Sequence, residues 1–430
     1  MFPQRRSFRD GQLLSGGPFT FGTGGGSSGG SLLPVTTQIG AFGDSQTYGD
    51  FRMKSYLFPF AQEMGGICIF PRTTAKGTAS AVGANMGVAG QTGAQIASRA
   101  ATVLSSPATR LYGLMGQNDG AGITANDQKG YWTAFLDGAI SANKTIVAIP
   151  NSPTQTVLES PTIQARNAEV FNWLRTTAKT TYGERLDVLP DSVWSGIDFL
   201  APGVSYDPGS KVHLTNYGAQ LFAKNLAAVE RPKFAAGGYA DVIAALGLTG
   251  NLWTGSFATG GGSAGSGSTG TVGNGLAVTT TGTTGLTVEC SLVTLRGKPA
   301  QQIDIFGTAS TGTIQVQLRE TAAIVYDIND VFRGWGDLRL TARDGVSAPQ
   351  GVLAIGFEPG GGRHPWMSRF SPTTEGNVPF VLDGPFQNLP EENASGGTSI
   401  NADWAVRFVP GATVDCRFIV ADMQVYRQVP

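Results

Sequence analysis

Two patterns of apolar and polar positions divide this chain of 430 residues. From Thr36 to Val229, short apolar runs of strand length alternate with longer stretches in which apolar residues recur at helical spacing. The predicted strands are Thr36 to Phe42, Ala79 to Ala84, Arg110 to Met115, Thr145 to Pro150 and Leu186 to Leu189. The predicted helices are Phe51 to Met64, Thr92 to Leu104, Asp127 to Ala142, Thr162 to Thr181 and Thr215 to Val229. This alternation predicts an α/β fold with a mainly parallel sheet covered by helices on both faces.

The second pattern occupies residues 270–430, where strand-like runs follow one another at short intervals without helical periodicity. Several of these runs alternate polar and apolar residues, as in Thr313-Ile-Gln-Val-Gln-Leu, which places one face against a core and the other against solvent. The predicted fold of this region is an antiparallel β-sandwich of jelly-roll type.

Glycine-rich stretches separate these regions. Residues 1–34 combine glycine repeats with serine and threonine, which predicts an extended arm that becomes ordered only against a partner or remains a disordered tail. A second low-complexity stretch ends in Gly-Ser repeats near Gly270 and predicts a linker over 234–269. The predicted domains are therefore an α/β domain at 35–233 and a sandwich at 270–430, with the arm before them and the linker between them.

The charge balance argues against a polyanionic partner. Lys+Arg number 30 and Asp+Glu 31, for a formal net charge of −1, so a nucleic-acid partner is not predicted. No apolar segment follows the basic residues near the amino terminus, and no apolar run reaches membrane-spanning length. A soluble protein with neither a secretory signal nor a membrane partner is predicted.

Three cysteines, Cys68, Cys290 and Cys416, are too far apart in sequence for a zinc motif or a disulfide framework. Cys290 and Cys416 both lie in strand-like runs, which allows them to be neighbours in one sheet, but buried free thiols are the favoured interpretation. No metal and no cofactor is predicted.

Candidate chemistry begins at Gly43-Asp44-Ser45, where an apolar run ends and a helical pattern follows. A serine at the carboxyl end of a strand can be exposed close to the amide groups of the next helix, so Ser45 is the predicted nucleophile. A base must then accept its proton, and His213 is the only histidine of the α/β region; the chain's other histidine is His364. His213 precedes a helical stretch, on a loop where catalytic side chains can face a cleft.

Four segments in this order resemble the sequence blocks of the GDSL or SGNH hydrolase superfamily. They are Gly43-Asp44-Ser45, Asn85-Met-Gly-Val-Ala-Gly-Gln-Thr92, Gly116-Gln-Asn-Asp119 and Asp207-Pro-Gly-Ser-Lys-Val-His-Leu-Thr-Asn-Tyr-Gly218. The resemblance covers roughly Thr36 to Val229 and implies a flavodoxin-like three-layer α/β/α serine esterase. It also implies that the oxyanion is held by the backbone N–H groups of Ser45 and Gly90 and by the side-chain amide of Asn118.

The sequence departs from the family pattern at two positions. Gln46 stands where the family has leucine, and Ser210 stands where the family carries the aspartate that orients the histidine. Asp207 lies six residues before His213, and the intervening Pro-Gly could form a turn that returns its carboxylate to the imidazole. Asp207 is the favoured third member of the triad; Asp198, or a dyad oriented by a backbone carbonyl, is the alternative.

The end of the chain, Cys416-Arg-Phe-Ile-Val-Ala-Asp-Met-Gln-Val-Tyr426, resembles the last strand of carbohydrate-binding jelly rolls. Trp335, Trp366, Trp404 and Tyr426 are candidates for stacking on sugar rings, although core packing is the favoured role of each.

The predicted function is a serine esterase that removes O-acetyl or other short acyl groups from a polysaccharide, as a homo-oligomer. In this interpretation the enzyme belongs to a phage particle, is attached through residues 1–34 and acts at the host cell surface. The alternative is a structural or receptor-binding phage appendage in which the hydrolase fold is a scaffold.

Overall fold

The structure is a computed structural model. It describes residues 31–48, 55–197, 212–308, 314–322, 330–342, 351–357, 368–369, 381–387, 402–408, 411 and 413–428. The predicted arm therefore lies outside the described residues except for its last four.

The first half of the chain forms a parallel five-stranded sheet with helices on both faces, as predicted. Its strands are β1 (Ile39–Gly43), β2 (Asn85–Gly87), β3 (Arg110–Leu114), β4 (Thr145–Ala148) and β5 (Leu186–Val188). The helices are α1 (Ser45–Tyr48), α2 (Leu57–Glu63), α3 (Gly93–Ala97), α4 (Ala100–Leu104), α5 (Ala125–Ser141), α6 (Gln155–Leu158), α7 (Pro161–Trp173), α8 (Lys179–Tyr182), α9 (Asn216–Glu230) and α10 (Tyr239–Ala245). A π-helical turn at Leu174–Ala178 joins α7 to α8, and 3₁₀ turns lie at Gly183–Arg185, Asp191–Trp194 and Arg231–Lys233.

The strand order is β2-β1-β3-β4-β5, with β1 paired in parallel to both β2 and β3. Gly43, the last residue of β1, pairs with Gly87 of β2 and with Leu114 of β3. The chain crosses to opposite sides of the sheet on leaving β1 and β2, which opens a crevice at the carboxyl end of β1. The topology therefore places Ser45, two residues after Gly43, at the position where ligands bind in sheets of this order.

Side chains of alternate strand residues form one core on each face of the sheet. Ile39 and Ala41 of β1 pack with α2 and α9, whereas Phe42 packs with Phe135 of α5, its ring stacked at 4.2 Å between centroids. All five residues of β1 are buried, which explains why the strand appears in the sequence as a continuous apolar run.

One predicted strand of this unit is wrong. The range 79–84 contributes only an isolated bridge between Val82 and Thr74, and β2 begins at Asn85. Gly83 approaches the backbone so closely that a Cβ there would lie 2.0 Å from the carbonyl oxygen of Arg72. The apolar residues before Asn85 are therefore buried by a tight chain crossing rather than by strand pairing.

The second half forms a β-sandwich. Its strands are β6 (Ser256–Gly260), β7 (Ser263–Ala264), β8 (Thr269–Gly270), β9 (Gly273–Asn274), β10 (Leu276–Thr281), β11 (Leu286–Leu295), β12 (Lys298–Thr308), β13 (Ile314–Glu320), β14 (Val331–Ala342), β15 (Gly351–Phe357), β16 (Ser368–Arg369), β17 (Val381–Gln387), β18 (Ala402–Phe408) and β19 (Thr413–Gln428). In the described ranges they make sheets of order β16-β15-β18-β13-β10-β7 and β17-β14-β19-β12-β11-β8, and β6 pairs with β9. Pairing is antiparallel except where the short β7 and β8 join β10 and β11.

Several sequence predictions about this region are confirmed. Trp335, Trp404 and Tyr426 are buried, so core packing is their role, while Trp366 lies outside the described residues. The three cysteines are free and buried, as predicted. Cys290 and Cys416 lie in one sheet but are not neighbours, because β12 lies between their strands.

The segment expected to be a linker is folded. Within 234–269 the chain forms α10 and the strands β6 to β8, and Trp253 and Phe257 are buried in the sandwich core. Glycine-rich sequence here serves close backbone contacts, since a Cβ on Gly262 would lie 2.1 Å from the carbonyl oxygen of Gly273. The domain boundaries drawn from the sequence otherwise remain predictions.

The sandwich packs on the α/β unit at the amino end of the parallel sheet, and the described residues from Leu33 onward belong to one compact unit. Arg333 of β14 donates from Nη1 to the carbonyl oxygen of Phe70 at 2.9 Å. Trp335 shares a buried cluster with Ile69, whose backbone lies beside residue 38 at the start of β1. Ser45 follows the opposite end of β1, so these described contacts of the sandwich lie away from the carboxyl edge of the sheet.

A buried charge cluster also lies near the amino end of the sheet. Glu230, fully buried, accepts from Tyr112 Oη at 2.5 Å and forms ion pairs with Arg110 at 2.8 Å and Lys233 at 2.7 Å. Asp187 pairs with both basic residues, and this pairing lowers the pKa of Asp187 to about 2 despite the opposing effect of burial. The cluster holds α9 against β3 and β5.

None of the helices in the described ranges is long and apolar enough to cross a membrane.

Candidate active site

Ser45 lies at the junction between β1 and α1. The strand ends at Gly43, Asp44 provides the turn, and Ser45 is the first residue of the helix. Asp44 acts as the cap, since its Oδ1 accepts from the backbone N–H of Gln46 at 2.9 Å and its carbonyl oxygen accepts from Tyr48 N–H at 2.9 Å. The predicted strand-to-helix setting of the nucleophile is thus the observed one.

The hydroxyl of Ser45 contacts the predicted base. His213 Nε2 lies 2.8 Å from Ser45 Oγ, although the two residues are 168 positions apart in sequence. This distance lies within the range required for direct proton transfer between a nucleophile and a base. The chain arrives there because Leu214 is buried and Thr215 caps α9, with its Oγ1 accepting from Gly218 N–H at 3.0 Å.

The loop that carries Gly90 leaves β2 close to α1. Gly90 has a φ of +75°, which favours glycine, and it is exposed, with nothing within 4 Å of where its Cβ would be. Gly87 permits the close approach of β2, because a Cβ there would lie 2.2 Å from the backbone nitrogen of Tyr48. The loop is joined to β1 by the bond from Val88 N–H to Gly43 carbonyl oxygen at 3.0 Å.

Asn118 follows β3, the other neighbour of β1. Its Nδ2 donates to the carbonyl oxygen of Gln91 at 3.0 Å and makes a longer contact of 3.4 Å with Asp44 Oδ2. Asp119 fixes this loop, since its carboxylate accepts from Gly93 N–H at 2.7 Å and from Gln128 Nε2 at 2.9 Å. Asn118 is therefore held between the loop of Gly90 and the turn before Ser45.

The carboxyl group of Asp44 has an unusual protonation equilibrium. Its side chain is fully buried, and burial raises the pKa of Asp44 to about 7, against the opposing effect of the hydrogen bond from Gln46 N–H. A carboxyl group beside the nucleophile therefore changes charge near neutral pH.

Gln46 has a contact that sequence reasoning missed. Its side chain is 2% exposed, and Nε2 donates to the carbonyl oxygen of Val212 at 3.1 Å. Gln46 thus joins the nucleophile helix to the residue directly before His213. The signal was present in the sequence as a departure from the family's leucine, but its partner lies 166 positions away and no local pattern indicates it.

The predicted orienting residue cannot be compared with this geometry. Asp207 and the alternative Asp198 lie outside the described residues, as does His364. The structure brings together Ser45, His213 and the loops of Gly90 and Asn118; the third member of the triad stays a prediction. Among the described residues no group of three or more His, Cys, Asp or Glu side chains could hold a metal ion.

The comparisons with known proteins give likenesses of structure only. No protein-family model matches the chain. No curated protein matches it in sequence.

Solved structures resemble each half. A protein described as lipolytic and of the G-D-S-L family, from Desulfitobacterium hafniense, is 18% identical, with 45% of this chain and 99% of that chain covered and a TM-score of 0.34. A carbohydrate esterase of family 3 from Talaromyces cellulolyticus is 17% identical over 45% of this chain and 96% of that one, with a TM-score of 0.35. A carbohydrate-binding module described for specific mannan recognition is 11% identical over 35% of this chain and 89% of that one, with a TM-score of 0.24. Identities and TM-scores this low carry no argument about activity, which has to come from the site itself.

Proposed function

We propose that this protein is a serine esterase that removes O-acetyl or other short acyl groups from a polysaccharide. The observation that supports the proposal is the 2.8 Å contact between Ser45 Oγ and His213 Nε2 at the carboxyl edge of a parallel sheet. A hydroxyl hydrogen-bonded to an imidazole at this edge is the arrangement that acyl transfer requires.

In the proposed reaction, Ser45 Oγ attacks the acyl carbonyl carbon while His213 Nε2 accepts its proton. The alcohol oxygen of the ester then leaves with the proton from His213, and Ser45 carries the acyl group. A water molecule, deprotonated by His213, then attacks the acyl carbon. The bond to Ser45 Oγ breaks, His213 returns the proton to Oγ, and the carboxylic acid is released. Asp207 is proposed to orient the imidazole.

The negative oxygen of each tetrahedral intermediate is proposed to accept from Ser45 N–H, Gly90 N–H and Asn118 Nδ2. Each such donor typically lowers the barrier by about 3 kcal/mol. Two features of the site favour this assignment: the open space beside Gly90, and the long 3.4 Å contact of Asn118 with Asp44, which a stronger acceptor can replace.

The preference for a polysaccharide rests on the sandwich, which resembles carbohydrate-binding jelly rolls at its last strand. Because the sandwich packs at the amino end of the parallel sheet, we propose that it contributes to holding a glycan and not to the acyl pocket. Attachment to a virion through residues 1–34 and homo-oligomer formation are further proposals that rest on the sequence alone.

The test of the esterase proposal is hydrolysis of p-nitrophenyl acetate by the wild type, Ser45→Ala and His213→Ala. We expect both variants to lose about 1,000-fold or more in kcat, since removal of either member disables the pair. Ser80→Ala, which alters an exposed serine outside the site, is the matched control and should retain the wild-type rate. Equal rates for the wild type and Ser45→Ala would refute the proposal.

The substrate class is tested by acetate release from an O-acetylated polysaccharide, compared with the same polymer after alkaline deacetylation. We expect Ser45-dependent acetate from the first polymer only. Hydrolysis of p-nitrophenyl acetate without any acetate release from acetylated xylan, glucomannan or pectin would support the esterase activity but refute the proposal of a polysaccharide substrate.

A further inference from the structure

Arg99 is a buried cation placed directly behind the candidate active site. It lies between α3 and α4, and its side chain is 5% exposed. Its Nη2 donates to the carbonyl oxygen of Gly43 at 3.1 Å, and its Nε donates to Gln91 Oε1 at 2.7 Å.

Both partners belong to segments that supply oxyanion donors in the proposed reaction. Gly43 precedes the turn to Ser45, and Gln91 directly follows Gly90 in the chain. The third donor is tied to the same network, because Asn118 Nδ2 donates to the carbonyl oxygen of Gln91 at 3.0 Å. One guanidinium group thus joins β1 to the Gly90 loop, and through Gln91 it acts on Asn118.

The electrostatic surroundings of Arg99 are unusual for a buried charge. Its hydrogen-bond acceptors are neutral oxygens, no carboxylate pairs with it in the described part of the chain, and its Nη1 is buried without a partner. Desolvation lowers the pKa of Arg99 to about 10, so the side chain remains protonated at neutral pH. Burial of a cation with neutral partners alone is costly, and the cost falls when negative charge develops nearby.

We propose that Arg99 is a positioning residue of the oxyanion site, which holds the donors of Ser45, Gly90 and Asn118 in register and favours the negatively charged transition state. The inference rests on the proposed esterase function and extends it to a residue outside the family's sequence blocks. A helix-capping role alone would leave the chemistry unchanged, and the two roles make different predictions.

The experiment measures kcat, KM and inhibition by a trifluoromethyl ketone, which forms a tetrahedral oxyanion with an active serine. In Arg99→Met we expect kcat to fall by about 10- to 100-fold with KM within about two-fold, because donor alignment matters most in the transition state. The inhibition constant for the ketone should rise by the same factor as kcat/KM falls. The kcat of Arg99→Lys should lie between the values of Arg99→Met and the wild type. Gln91→Met removes only the side-chain acceptor of Arg99, and its kcat should fall by a smaller factor than that of Arg99→Met.

Arg333→Met is the matched control. Arg333 is also a buried arginine, 4% exposed, whose Nη1 donates to a backbone carbonyl, and burial lowers its pKa to about 10 as well. Its loss should lower the melting temperature while kcat and the ketone inhibition constant stay at wild-type values. Millimolar guanidinium should partly restore kcat in Arg99→Ala, and leave Arg333→Ala unchanged.

The possible results separate the two proposals. Wild-type kcat and ketone inhibition in Arg99→Met and Gln91→Met would overturn the role of Arg99 while the esterase function stands. An equal loss of activity in Arg99→Met and Arg333→Met would likewise overturn it, because general destabilisation would then explain both. A wild type without Ser45-dependent hydrolysis would overturn the esterase function and this inference together.

Discussion

The buried carboxyl group of Asp44 should make the stability of the protein depend on pH in a defined direction. Replacing it by asparagine removes the ionisation but keeps the shape of the protonated acid. The acceptor Oδ1 that binds Gln46 N–H at 2.9 Å is retained in Asp44→Asn. In the variant, the 3.4 Å contact between positions 44 and 118 no longer depends on pH.

The magnitude follows from the raised pKa. A carboxyl whose pKa moves from 3.8 to about 7 on folding destabilises the folded state by about 4 kcal/mol once it is ionised. Because the folded-state pKa is above the unfolded one, the favourable contribution is fully present below 3.8 and is lost as the pH rises through about 7. Between about pH 5 and about pH 8, the free energy of unfolding of the wild type should therefore fall by about 3 kcal/mol relative to Asp44→Asn.

Urea denaturation followed by far-UV circular dichroism measures this difference, because all helices in the described ranges except the short α10 belong to the α/β unit. The comparison cancels the pH dependence of the groups that both proteins share. Ser45→Ala, which retains the carboxyl, should follow the wild-type pH dependence. Wild-type and Asp44→Asn curves that remain parallel from about pH 5 to about pH 8 would refute the argument that burial controls this group.

Three further substitutions test other parts of the structure. Gln46→Leu removes the bond to Val212 and should lower kcat for p-nitrophenyl acetate by about 10-fold with an unchanged melting temperature, because the base loop loses its attachment to the nucleophile helix; an unchanged kcat would show that the loop is held by other contacts. Gly87→Ala should abolish activity, since its Cβ would displace the backbone of α1, whereas Gly120→Ala, with open space around it, should behave like the wild type in the same assay. Glu230→Gln should lower the free energy of unfolding in urea by about 3 kcal/mol because it removes the charge of the more deeply buried of the two carboxylates that pair with the basic groups of the cluster, while the rate per folded molecule stays unchanged. A loss below about 1 kcal/mol would contradict a stabilising role for the cluster.

The sequence predicted the elements of the α/β unit and two residues of the site. Strand β1 is recognisable because its residues are buried on both faces, and α5 and α9 because one side of each faces the core. Ser45 was indicated by its position after an apolar run that ends at an aspartate. His213 was indicated because the chain has only one other histidine. These signals are local or compositional, so they can be recognised in the sequence without knowledge of the fold. The predicted strand at 79–84 was wrong because a tight backbone crossing buries its apolar residues without strand pairing. The segment 234–269, expected to be a linker, contains α10 and the strands β6 to β8.

What the sequence determined by itself was the alternation of strands and helices and the choice of Ser45 and His213 as the proposed nucleophile and base, since each depends on residues within a few positions of one another or on residue counts. Only the tertiary structure decided that His213 reaches Ser45, that Gln46 holds Val212 and that Arg99 spans the segments before Ser45 and after Gly90. It also decided that the sandwich packs at the end of the sheet opposite the site. These contacts join residues far apart along the chain, and parallel strand order and helix packing, rather than local periodicity, bring them together.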